Sequence, residues 1–158
     1  MEKICFSPIG VIHSQFTEAK GIPRQSVGAQ HLQAEIEIFD EFAEGLADLD
    51  GFSHIVVVFN LHRVEHPSLT ACPPWDGRKH GVFATRSPHR PNPIGISTVK
   101  LEEISGSTLT ISGVDMADGS PVLDIKPYVP DLNPAGDIRL GWLEDKIDGM
   151  NMSKSGDR

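Results

Sequence analysis

Basic residues and histidines are concentrated in the centre of this chain. Between His62 and Lys100 there are six basic and two acidic residues, a net charge of +4 in a chain of net charge −8, so the remaining residues carry −12. His62, His66, His80 and His89 lie in the same stretch, and a histidine adds positive charge near neutral pH. This pattern predicts a local anion-binding surface in an acidic shell, with a chance cluster on a solvated loop as the alternative.

The segment from His62 to His66 reads H-R-V-E-H, the order of ligands and base in inverted zinc peptidases. In that chemistry, the two histidines bind zinc from one face of a helix. Here the motif follows an apolar run directly, and Pro67 disfavours a helical backbone at His66. A zinc hydrolase using His62 and His66 is therefore one alternative. A polar loop without function and a metal-free site at His62 are the others.

Residues 81–95 read GVFATRSPHRPNPIG, with three prolines within six residues. Proline fixes φ, so this loop is expected to be stiff and extended. It carries Arg86, His89, Arg90 and Asn92. Guanidinium groups bond phosphate and carboxylate oxygens in pairs, so these residues are candidates to bind an anionic substrate. The alternative is a structural corner whose arginines bind backbone carbonyls.

A polar turn follows further along the chain, where Asp118-Gly119-Ser120-Pro121 lies between two apolar segments. Asp-Gly is a strong turn dipeptide and needs no function. An ionised carboxylate also accepts several hydrogen bonds from hydroxyl or amino groups of a ligand, so Asp118 is a candidate binding residue.

The elements that position these residues are predicted to be strands. Residues 32–38 alternate apolar and polar, and the apolar run 54–59 predicts a strand buried on both faces. Shorter strands are predicted at 98–103, 108–114 and 122–126. A short helix is predicted over 40–49, with Asp40 as its cap and Phe42, Leu46 and Leu49 on one face.

Closely spaced strands with few helices favour a mainly β fold, a small antiparallel barrel or sandwich with one or two short helices. The sequence contains neither GxGxxG nor GxxxxGK[ST], so a nucleotide-like cofactor would bind without a Rossmann or P-loop cradle. The length fits one domain, expected over residues 1–149, with a flexible tail over 150–158. Only two cysteines, no signal-peptide pattern and no long apolar run predict a cytoplasmic protein that does not span a membrane.

Four pieces in this order resemble the TrmO family, also called YaeB-like or TsaA-like, over residues 4–130. They are Pro23-Arg24-Gln25, His62 after its strand, GVFATRSPHRPNPIG, and DGSPVLDIKPY from Asp118 to Tyr128. The resemblance implies a non-Rossmann β-barrel that binds S-adenosylmethionine and forms a homodimer. It also implies methylation of the exocyclic nitrogen of threonylcarbamoyl-modified adenosine beside the anticodon of tRNA. A module that binds S-adenosylmethionine without catalysis is the alternative, which the acidic net charge favours.

The resemblance also implies which residues bind the cofactor: Pro23, Arg24, Gln25, Leu61, His62, Arg86, Ile96, Asp118, Gly119, Ser120 and Pro121. The family usually has Thr where this chain has Ser120, and often an aromatic residue where it has Leu61. A sulfonium is already an activated methyl donor, so transfer needs alignment more than a metal. His62 or Asp118 is the candidate acceptor of the proton that the adenine nitrogen loses. Arg86, His89, Arg90 and Asn92 are the candidate substrate-binding residues.

Overall fold

The computed structural model describes residues 2–18, 22, 29–134 and 136–146. Three of the expected cofactor-binding residues, Pro23, Arg24 and Gln25, lie outside this part of the chain, as does the tail expected over 150–158. In the described part, no helix is long and apolar enough to cross a membrane.

The described part of the chain is mainly β-structure. Its strands are β1 Gly10–His13, β2 Gln33–Ile38, β3 His54–Asn60, β4 Thr70–Ala71, β5 His80–Gly81, β6 Ile94–Ser105, β7 Thr108–Ser112 and β8 Pro121–Pro127. Six of them close into an antiparallel barrel in the order β1-β2-β7-β6-β3-β8, while β4 and β5 form a separate two-stranded sheet. The predicted small antiparallel barrel is therefore confirmed. Strands β1, β4 and β5 were not predicted from the sequence.

The barrel interior is filled by alternate residues of each strand, as the period of a β-strand requires. In β2, Ala34, Ile36 and Ile38 are buried and the residues between them are exposed. In β3, Ile55, Val57 and Phe59 face the core, but Val56 and Val58 are only half-buried on the outer surface. The prediction that this strand is buried on both faces is wrong, because a strand of a small barrel has only one interior face.

The helix predicted over 40–49 differs in type and length. The chain instead forms a 3₁₀ helix at Asp40–Leu46 and a second at Leu49–Gly51, separated by Asp48 with a φ of 65°. Phe39 occupies the capping position without a side-chain hydrogen bond, so Asp40 is not the cap. The other helices in the described residues, Val82–Ala84, Pro130–Leu132 and Gly141–Leu143, are also 3₁₀.

Candidate functional site at one rim of the barrel

The turn at Asp118–Pro121 is bound to the end of β1 by backbone hydrogen bonds. The Ile12 amide donates to the Ser120 carbonyl at 3.0 Å, and the Gly119 amide donates to the Ile12 carbonyl at 2.8 Å. The Asp118 amide donates to the Phe16 carbonyl at 3.0 Å. Strand β8 begins at Pro121 and pairs with the last residues of β3, so the turn lies at the rim where β3 ends.

The end of β3 continues into Leu61, His62 and Arg63, and the last two contact the same turn. The Ser120 hydroxyl lies 3.3 Å from His62 Nδ1, and the Ser120 residue is buried. Arg63 Nη2 donates to the Asp118 carbonyl at 3.0 Å. Two of the sequence-predicted groups, Leu61-His62 and Asp118–Pro121, are thus brought together.

Gly119 keeps the space between this turn and His62 open. Its φ is +76°, a conformation that residues with a Cβ atom adopt at a cost. A Cβ atom at this position would lie 3.9 Å from His62 Nε2, its one neighbour within 4 Å among the described residues. Glycine therefore provides the turn geometry, and a side chain at this position would come into contact with the imidazole.

The pKa of His62 is lowered from its ordinary value near 6.5. The main cause is the partial burial of the imidazole, and the positive charge of Arg63 adds to it. A backbone hydrogen bond at Asn60 and the Asp118 carboxylate act in the opposite direction but are weaker. His62 is therefore mainly neutral at pH 7, with Nε2 accepting a hydrogen bond of 3.4 Å from Arg63 Nε and Nδ1 lying beside the Ser120 hydroxyl.

The Asp118 carboxylate is held in place from β1. Its Oδ1 accepts a hydrogen bond of 3.0 Å from the Ser14 amide, and the Ser14 hydroxyl donates to the Met116 carbonyl at 2.9 Å. One carboxylate oxygen is thus fixed by the backbone. Asp118 is half-buried, so its carboxylate is also accessible to a ligand.

In the proline-rich loop, Arg90 binds the backbone of its own loop. Its Nη1 donates to the carbonyls of Thr85 at 3.2 Å and Ser87 at 3.3 Å. His89 is also anchored, because its Nδ1 lies 3.3 Å from the His66 carbonyl and its own carbonyl accepts the Ser68 amide at 3.1 Å. For Arg90, these contacts favour the structural-corner interpretation.

Arg86 differs from Arg90 because its side chain is exposed and reaches out of the loop. Its Nη2 donates to the Ile96 carbonyl at 3.3 Å, which places these two expected cofactor-binding residues together. Ile96 pairs with Val58 within β3, whereas His62 follows the end of that strand and contacts the Asp118–Pro121 turn. The expected cofactor residues of the described chain therefore form two groups.

Asn92 is exposed, and its carbonyl accepts the Ile94 amide at 2.8 Å.

The H-R-V-E-H segment is a turn and irregular chain, not the helix that zinc peptidase chemistry needs. Within the ranges that the structure describes, no group of three or more His, Cys, Asp or Glu side chains is arranged to hold a metal ion.

A cluster that the sequence did not predict connects residues 141–146 to the proline-rich loop. Asp76 has a fully buried side chain that contacts His80 Nε2 at 2.6 Å and the Lys146 ammonium. Trp142 stacks on His80 with ring centroids 4.0 Å apart, and its indole N–H donates to the Ala84 carbonyl at 2.8 Å. We call these four side chains, Asp76, His80, Trp142 and Lys146, the clasp. The i,i+4 spacing of Asp76 and His80 was the only signal visible in the sequence.

The fold and this rim define a class of protein: a closed six-stranded β-barrel with a polar site built from a strand end and a tight turn. The model of the tRNA-methyltransferase O N-terminal domain matches residues 11–133. The chain therefore belongs to the TrmO family, as its motifs indicated.

Relatives and solved structures agree with this assignment. A probable S-adenosyl-L-methionine-binding protein of Pyrococcus abyssi is 46% identical over 155 residues, which cover 98% of this chain and 84% of that protein. A mouse tRNA (adenine(37)-N6)-methyltransferase is 44% identical over 131 residues, 78% of this chain but only 30% of that protein. A crystal structure of TrmO from Pseudomonas aeruginosa has a TM-score of 0.74 at 40% identity, with 89% of this chain and 63% of that chain covered.

Proposed function

We propose that this protein is an S-adenosylmethionine-dependent tRNA methyltransferase that methylates N6 of an adenosine beside the anticodon, and that this adenosine carries a threonylcarbamoyl group. The observation that carries the proposal is the hydrogen-bonded junction of His62 with the Asp118–Pro121 turn, in a chain that belongs to the TrmO family. The names of its mammalian relatives support the reaction, and those of its archaeal relatives support the cofactor.

The residues at the rim fit this cofactor. The exposed Gly119 lets a ligand approach the turn, and the half-buried Asp118 carboxylate can bond its polar groups, while the buried Ser120 hydroxyl is directed to His62. Leu61, half-buried and packed against the core, adds an apolar wall. We assign Pro121 to the same part of the cofactor site. Arg86 and Ile96 form the second group of cofactor-binding residues. When bound, S-adenosylmethionine supplies an activated methyl group, so the protein's task is orientation.

His62 is the better of the two candidates to accept the proton from the adenine nitrogen. Its lowered pKa keeps it neutral, and the buried Ser120 hydroxyl beside Nδ1 fixes the orientation of the ring. Asp118, by contrast, uses one carboxylate oxygen to hold the Ser14 amide, which suits a binding role. Arg86, exposed on the stiff loop, is suited to pair with the carboxylate of the threonyl group.

A module that binds S-adenosylmethionine without catalysis is the second candidate. The name of the Pyrococcus relative, which mentions binding alone, favours it. The two candidates differ in one observable, the transfer of a methyl group to RNA.

The test is calorimetric titration with S-adenosylmethionine, followed by transfer of a radiolabelled methyl group to tRNA with and without the threonylcarbamoyl modification. Binding with transfer to modified tRNA alone is the expected result. Transfer to both RNAs would remove the threonylcarbamoyl requirement, and binding without transfer would establish the module. Absence of binding would refute the cofactor site.

We further propose a single domain over 1–149, a homodimer and a cytoplasmic location. The closed barrel supports the first, because one core unites strands from residue 10 to residue 127. The family resemblance supports the second, and a tRNA substrate supports the third. Sedimentation equilibrium would test the dimer, since a monomeric mass at all concentrations would contradict it.

A further inference from the structure

Phe83 is one of the most exposed large apolar side chains of the described chain, at 77%. It lies in the short 3₁₀ turn Val82–Ala84, directly before Thr85 and Arg86. Its neighbour Val82 is fully buried. The turn is therefore anchored in the protein while the aromatic ring points away from it.

The backbone on both sides of Phe83 is fixed by hydrogen bonds. The Val82 amide donates to the Leu69 carbonyl at 2.9 Å, and Thr85 donates to the Val82 carbonyl from its amide at 3.0 Å and its hydroxyl at 2.9 Å. The Ala84 carbonyl accepts the Trp142 indole N–H, so the clasp holds the turn from its other side. The ring is thus presented on an ordered backbone, which lowers the entropy cost of binding through it.

The surroundings of Phe83 in the chain are basic. Arg78, Lys79 and Arg86 are exposed, and the stretch 62–100 carries +4 while the remaining residues carry −12. Asp76, one of its two acidic residues, is buried against His80 and Lys146. The exposed charge near this turn is therefore more positive than the count of residues suggests.

We propose that Phe83 is a stacking platform for an unpaired base of RNA. An exposed aromatic ring in a basic stretch of chain suits single-stranded nucleic acid, since bases stack on such rings and phosphates pair with nearby cations. A second copy of this chain is a poorer occupant, because a two-fold contact through this surface would bring two positive patches together. The inference rests on the proposed function for RNA as the partner, but it concerns binding and not methyl transfer.

The experiment measures fluorescence anisotropy of two labelled RNAs of equal length without S-adenosylmethionine: an anticodon stem-loop and a fully paired duplex. Phe83→Ala should weaken binding of the stem-loop about tenfold and leave the duplex unchanged, as expected for loss of one stacked base. The salt dependence of stem-loop binding should be unchanged in Phe83→Ala but shallower in the double variant Arg78→Ala/Lys79→Ala, because only charge contacts release counterions.

Two further variants separate stacking from general apolar contact. Phe83→Tyr should bind the stem-loop like the natural protein, whereas Phe83→Leu should resemble Phe83→Ala. Phe6→Ala is the matched control, since Phe6 is 70% exposed but lies outside the basic stretch, and it should have no effect.

Equal affinities of Phe83→Ala and the natural protein for the stem-loop would overturn the inference. A Phe83→Leu variant that binds the stem-loop as tightly as the natural protein would also overturn it. So would a Phe83→Ala variant that loses the mass of a dimer in sedimentation while its affinity for RNA is unchanged. Failure of methyl transfer, with the Phe83 effect on stem-loop binding intact, would refute the proposed function and leave this inference standing.

Discussion

The turn at Asp118–Pro121 and the proline-rich loop both combine charged side chains with glycine or proline, yet they use their polar groups differently. In the turn, backbone amides bond to the backbone of β1 and of the segment after it, so the Ser120 hydroxyl and one Asp118 oxygen face His62 or solvent. In the loop, proline removes amide donors, and the Arg90 guanidinium bonds the loop carbonyls. A polar side chain is available to a ligand where the backbone satisfies its own hydrogen bonds.

The largest effect that would separate the two regions is expected from His62→Ala. Loss of the proton acceptor should lower the rate of methyl transfer at saturating cofactor by about 10²-fold or more, which single-turnover kinetics would measure. His66→Ala is the matched control, since His66 lies in the same segment but its carbonyl contacts His89 of the proline-rich loop. Equal losses in both variants would show that His62 has no special part in the transfer.

Gly119→Ala tests whether the space beside His62 receives the cofactor. The added Cβ should lower the affinity for S-adenosylmethionine more than tenfold in a calorimetric titration. The control is Gly106→Ala in the β6–β7 hairpin, where φ is +61° and no atom lies within 4 Å of the added Cβ. Both variants should lose a similar roughly 1–2 kcal/mol of stability, since each places alanine in the left-handed region. Cofactor affinity that falls equally in both would refute the role of Gly119.

The two arginines of the loop should respond in opposite ways to truncation. Arg90→Ala should lower the free energy of unfolding by about 1–3 kcal/mol, because a charged donor to two carbonyls is lost. Arg86→Ala should leave the free energy of unfolding within ~0.5 kcal/mol of the natural protein but weaken the binding of S-adenosylmethionine severalfold. Urea unfolding and calorimetry would measure both. The reverse pattern would assign the structural role to Arg86.

The smallest expected effect is a shift in the pH profile. A general base must be neutral, and the lowered pKa of His62 in the free protein places the acidic limb of kcat/KM below pH 6.5. Arg63→Gln removes one cause of the lowering, so the pKa should rise and the limb should move to higher pH, by less than about one unit. A limb that stays in place, or moves to lower pH, would show that His62 is not the titrating group.

The strands β2, β3, β6, β7 and β8 and the position of His62 after β3 could be predicted because their signals are local. The alternation of apolar and polar residues identified β2. A histidine that follows the apolar strand β3 lies near the end of that strand, and strand ends form the rim of a barrel. The prediction of one helix over 40–49 was wrong in type and length because its apolar residues also fit two 3₁₀ helices. No pattern in the sequence marked the left-handed backbone of Asp48 between them. The clasp joins residues 76 and 146, which no local pattern connects. No local pattern distinguishes Arg86 from Arg90 either, because their different roles depend on the geometry of the loop.

The most direct test of the proposed methyl transfer is mass spectrometry of nucleosides from tRNA incubated with the protein and S-adenosylmethionine. We expect one added methyl group on the threonylcarbamoyl-modified adenosine, and far less of it after the same short incubation with His62→Ala. Unchanged nucleosides in the presence of a protein that binds S-adenosylmethionine would contradict the proposed reaction.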